Sequence, residues 1–115
     1  MSYRNRWIPY QAVEFKASLT QAFKALRKEG YWARQNWKCC QSCGWAAVPE
    51  EKSDKAIFYH AQDAQHIRGR EPEVMLAWSG DGDRIADILK EFVKVEWDGS
   101  VNTRIQCSPL EGVAS

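Results

Sequence analysis

Cys40 and Cys43, separated by two residues, are the side chains of this sequence best suited to chemistry, because thiolates at that spacing can converge on one zinc ion. Half a site is not a site, however. A structural zinc takes four ligands, so Cys39, His66 or, as the main candidates, His60 or Cys107 would have to complete it, and the chain has no second C-x-x-C. Free cysteine is among the most buried residue types, and Cys39 and Cys43 read equally well as small hydrophobes filling a turn. Filler is the expectation, so no cofactor is expected, with zinc as the alternative. A redox pair ranks lower still. A thioredoxin-type C-x-x-C opens a long helix after a strand, and Gly44, next to Cys43, weakens such a helix.

His60 with Asp63 has the composition of an acid-base pair, to which a nearby cysteine would add a nucleophile. A histidine ending an apolar strand more often bonds locally, and no catalytic residue is assigned. Ser79-Gly80-Asp81-Gly82-Asp83 has the look of a phosphate or calcium loop but is too short for either, lacking Gly-Lys-Ser/Thr and a terminal Glu. A strand-to-helix turn capped by Asp explains every residue of it.

Six tryptophans are more than a core of this size buries without partners for their N–H groups, so some of them should line a surface. Trp7, Trp32 and Trp37 lie among Arg4, Arg6, Arg34 and Lys38, the mixture found at protein interfaces and on single-stranded nucleic-acid platforms. Residues 1–45 carry eight Lys/Arg against two Asp/Glu, and residues 46–115 carry eight against thirteen. With a net charge of only +1 the basic excess is local, which favours a protein partner over nucleic acid.

These side chains need elements to hold them. Apolar residues from Gln11 to Glu29 (Ala12, Phe15, Leu19, Ala22, Phe23, Leu26) recur at helical spacing, and Gly30 follows as a stop. The alternation from Tyr31 to Lys38 predicts a strand, and Cys39–Val48 a short helix ended by Pro49. Ala56–His60 and Glu73–Trp78 read as strands, with a helical turn somewhere in Gln62–Arg70 between them. Asp81 or Asp83 caps a second long helix with Ile85, Ile88, Leu89 and Phe92 inside. Val95–Trp97 and Thr103–Cys107 form a closing hairpin across Asp98-Gly99-Ser100. The order implies an α+β domain, with two main helices on one face of a mostly antiparallel sheet of four or five strands.

Taken together, Gly30–Asn36, Cys39–Gly44, Phe58-Tyr59-His60 with Gln62-Asp63, Ala77–Gly82 and Val95–Gly99 resemble a family of small bacterial proteins known only as a domain of unknown function. The resemblance spans roughly residues 15–107 and implies relatives rather than a reaction.

At 115 residues, with 44% apolar and 27% charged side chains, one globular domain over 1–115 is expected, with its core at 9–108 and a frayed tail at 109–115. No apolar run suits a bilayer span or a secretory leader, which places the expected chain in the cytoplasm and off the membrane. The leading expectation is a non-enzymatic binding or regulatory module that meets a protein through Arg4, Arg6, Trp7, Trp32, Arg34, Trp37 and Lys38. A thiol or zinc protein centred on Cys40 and Cys43 is the alternative, and a single-stranded nucleic-acid binder comes third.

Overall fold

A computed structural model describes residues 10–68 and 72–110 of the chain. The apolar stripe of the first segment forms α1 (Tyr10–Lys28), burying Phe15, Leu19, Ala22, Phe23 and Leu26 and leaving Lys16, Gln21, Lys24 and Arg27 outside. Its end is set by Gly30 at φ +98°, which lets Gly30 N–H reach Arg27 O and Tyr31 N–H reach Leu26 O. That paired closure satisfies carbonyls the last turn would otherwise leave bare.

The chain continues through β1 (Trp32–Arg34), α2 (Gln41–Ala47), a 3-10 turn at Glu50–Lys52 and β2 (Ala56–Phe58). A single turn of α3 (Ala61–Ala64) runs into a second 3-10 turn, Gln65–Arg68, before β3 (Val74–Trp78). Then come α4 (Gly82–Lys90), β4 (Lys94–Glu96) and β5 (Ile105–Ser108). The sheet order is β1-β2-β3-β5-β4, with β1 parallel to β2 and every other pair antiparallel. This is the α+β arrangement expected, with the full five strands.

Side chains alternate across a strand, so the sheet sorts its residues into two layers. Ile57, Tyr59, Val74, Leu76, Ile105 and Cys107 face α1 and α4 and close a core with Phe15, Leu19, Phe23, Ile85 and Leu89, while Phe92 packs at its margin. Trp32, Ala56, Phe58 and Ala77 face the other way and are covered by Val48, Trp37 and Trp45. The two long helices therefore share one face, as expected, and the parallel crossover between β1 and β2 lays α2 on the opposite one.

Two boundaries differ from the sequence reading for a backbone reason. The predicted strand Tyr31–Lys38 stops at Arg34, because Asn36 (φ +51°) and Lys38 (φ +61°) are left-handed and cannot continue a ladder. The predicted strand Ala56–His60 stops at Phe58, since His60 turns to cap α3. The capping expectation at the second long helix resolves to Asp81, whose Oδ1 accepts the Arg84 N–H at 3.2 Å. Gly82 begins that helix where a Cβ would lie 2.6 Å from both Trp78 and Trp97. Those two indoles meet edge to face at 5.5 Å.

Candidate metal centre

The loop leaving β1 is fixed before it reaches the cysteines. Trp37 N–H donates to Tyr59 O at 2.8 Å and Ala61 N–H to Lys38 O at 2.9 Å, which staples residues 37–38 to the end of β2. The Trp37 indole N–H donates to Gly44 O at 3.1 Å, and its ring meets Trp32 edge-on at 4.9 Å. Gly44 brings α2 down onto the sheet, since a Cβ there would sit 2.5 Å from the Phe58 ring. The glycine that argued against a long helix in the sequence is thus a packing glycine in a short one.

Held this way, the Sγ atoms of Cys39, Cys40 and Cys43 all lie within 4.8 Å of one another. Cys39 and Cys40 are 3.9 Å apart, and the Ser42 hydroxyl is 3.8 Å from Cys40. Sulfurs bound tetrahedrally to zinc at about 2.3 Å sit roughly 3.8 Å apart, so small side-chain rotations close the triangle on an ion. The Cys43 backbone N–H, the Ser42 hydroxyl and the neighbouring thiols stabilise a thiolate on Cys40 and lower it to about 7. Hydrogen bonding with Cys39 and Cys40, reinforced by their negative charge, raises Cys43 to about 11.

Cys39 and Cys43 are exposed and Cys40 is half-buried, so the expectation that Cys39 and Cys43 are buried filler is corrected. The turn is filled instead by Trp37, Gly44 and Phe58. Neither main candidate for a further ligand joins the group. Cys107 faces the core from β5, where burial pushes its thiol well above the usual range. His60 is buried and committed elsewhere: its Nδ1 accepts the Asp63 N–H at 3.4 Å and its Nε2 lies 3.3 Å from Asp63 Oδ2. That same Oδ2 accepts from Arg104 at 3.1 Å, so the His60 and Asp63 pair is brought together as a tie between α3 and the residue that leads into β5. Arg104 carries no signal in the sequence, being 41 residues from its partner.

The aromatic and basic candidates divide. Trp32 and Trp37 are in contact, Arg34 lies 4.6 Å over the Trp32 ring and Lys38 lies 4.9 Å over the Trp37 ring. Arg4, Arg6 and Trp7 lie outside the described residues. No helix among the described residues is long and apolar enough to cross a membrane. No curated protein and no solved structure matches the chain. A family model does match, over residues 9–111, and the chain belongs to that family, described as a domain of unknown function, DUF6891.

Proposed function

We propose that the domain binds a soft or borderline metal ion, Zn(II) or Cu(I), through Cys39, Cys40 and Cys43. The supporting observation is the convergence of three sulfurs within 4.8 Å on a braced loop. An all-sulfur donor set selects these ions over the hard cations that prefer oxygen. The reduced chain, titrated with Zn(II), with Co(II) as a spectroscopic probe, and with Cu(I) buffered by a competing chelator, is expected to bind one equivalent. Thiolate-to-metal charge-transfer absorption should appear with the ion and weaken in Cys39→Ser, Cys40→Ser and Cys43→Ser. Binding no tighter than about 10 μM for every ion, or full binding by the Cys39→Ser/Cys43→Ser double variant, overturns the reading.

A second reading, the protein-binding module expected from the sequence, is supported by the Arg34/Trp32 and Lys38/Trp37 stacks beside the cysteines. Trp and Arg anchors of this kind carry protein interfaces. The same stacks argue against a nucleic-acid platform, because each indole already has a cation over one face. Binding to random single-stranded DNA at physiological salt is therefore expected to be weaker than about 10 μM, and sub-micromolar binding with a steep salt slope would reverse the order.

A further inference from the structure

We propose that an ion held by Cys39, Cys40 and Cys43 is exchangeable cargo, completed by a thiolate from an incoming molecule to which the ion is then passed. This rests on the metal-binding reading above and concerns the fourth position of that site. The whole sequence has four cysteines and two histidines, and all six are among the described residues. Three of the cysteines form the cluster. Cys107 is fully buried in the sheet core, His60 is bound to Asp63, and His66 stands outside the group on the 3-10 turn after α3. Among the described residues the cluster therefore brings together three thiol donors where a closed structural zinc site would have four ligands. Two of the three are exposed, so another molecule can reach the ion.

The sulfurs also owe their position to the protein. Structural zinc sites in small domains are assembled by the metal, and removing it unfolds them. Here the loop is pinned by Trp37 N–H to Tyr59 O, Ala61 N–H to Lys38 O and the Trp37 indole to Gly44 O. Non-glycine residues at positive φ on both sides of Trp37 are conformations a chain keeps only where its surroundings impose them. A preformed, three-sulfur, exposed site accepts and releases an ion without refolding.

The transfer is ligand exchange and involves no redox change. The incoming thiol loses its proton to solvent and forms a metal–sulfur bond. The bonds to the three cysteines then break one at a time as further donors of the incoming molecule or water take their places, each departing thiolate regains a proton, and the oxidation state of the metal is unchanged.

The test uses the full chain loaded with one equivalent of Co(II) or Zn(II). X-ray absorption should count three sulfurs on the ion, rising to four when glutathione or a two-cysteine peptide is added. A response to glutathione identifies a small thiol as the source, and a response to the peptide alone identifies a protein cysteine. Zn(II) release should accelerate in proportion to peptide concentration and run at least tenfold faster than with equimolar EDTA. The metal-free chain should keep its near-ultraviolet circular dichroism. Four sulfur or nitrogen donors from the chain itself, a release rate indifferent to thiol, or unfolding on metal removal each overturns the proposal. Failure of the chain to bind any ion would instead sink the parent reading, so the two failures are distinct.

Discussion

The two faces of the sheet are built by different means. On the face covered by α1 and α4, the core is mainly aliphatic and aromatic side chains, and Leu19, Leu76, Ile85 and Leu89 are wholly buried. The α2 face has a thin aromatic layer of Trp32, Trp37, Trp45 and Phe58, in which specific geometry replaces volume. Its cohesion comes from a glycine seated on a ring, one indole hydrogen bond and two edge-to-face contacts. Most of the buried core lies on the thick face, and the thin face holds three thiols at its rim. Stability and chemistry are thus divided between the two sides of one sheet.

The largest expected effect lies on the thick face. Leu19→Ala or Leu89→Ala should cost on the order of 2–5 kcal/mol in urea unfolding, through lost burial plus the cavity left behind. If the faces are independent, each variant that still folds should bind Co(II) like the unaltered chain. A loss below about 1 kcal/mol at both positions would say that α1 and α4 are not the main stabilisers.

Gly44→Ala gives the complementary break. The added methyl must push against the Phe58 ring, an overpacking that should cost about 1–3 kcal/mol. Because α2 carries Cys43 and follows directly on Cys40, metal affinity should fall as well, at least tenfold. A variant destabilised to this degree with its metal affinity intact would show that the cluster does not depend on how α2 is seated.

Much of the thick face was legible because its pattern is periodic. The α1 stripe, the stop at Gly30 and a cap at Asp81 or Asp83 follow from residues a few positions apart, whose spacing is set by helix geometry. The candidate site was legible only in part. Cys40 and Cys43 stand out by spacing, but consecutive residues usually point apart, so nothing in the sequence brings Cys39 to 3.9 Å from Cys40. That approach needs Cys40 extended at φ −155° just ahead of α2, after a left-handed Lys38. Aromatic alternation through Tyr31–Lys38 could not reveal positive φ at Asn36 and Lys38. The His60-Asp63-Arg104 tie joins elements that are distant in sequence.

The thick face also contributes to the alkaline limit of the fold. Burial raises both the Tyr59 hydroxyl and the Cys107 thiol well above their ordinary values. A group raised on folding holds its proton longer in the native chain, so its contribution is complete below the unfolded value and is lost as pH climbs towards the folded one. Unfolding free energy should therefore decline above about pH 9, by up to roughly 1.4 kcal/mol per pH unit for each group. Cys107→Ala lowers stability at neutral pH by leaving a small cavity, yet its alkaline slope should be shallower. An unchanged slope would mean that Cys107 titrates alike in both states.

The smallest effect belongs to the strained loop of the thin face, and it separates the two things Lys38 does there. Its ammonium lies 4.9 Å over the Trp37 ring, a contact worth about 0.5–1 kcal/mol at an exposed site. Its backbone sits at φ +61°, which costs a residue bearing a Cβ roughly 1 kcal/mol and glycine almost nothing. Lys38→Ala loses the contact and keeps the strain, whereas Lys38→Gly loses the contact and relieves it. The glycine variant should accordingly be the more stable of the two by several tenths of a kcal/mol, less than the full strain because glycine also frees the unfolded chain. If alanine proves equal or better, the left-handed turn is not maintained in solution, and the loop is less firmly braced ahead of the cysteines.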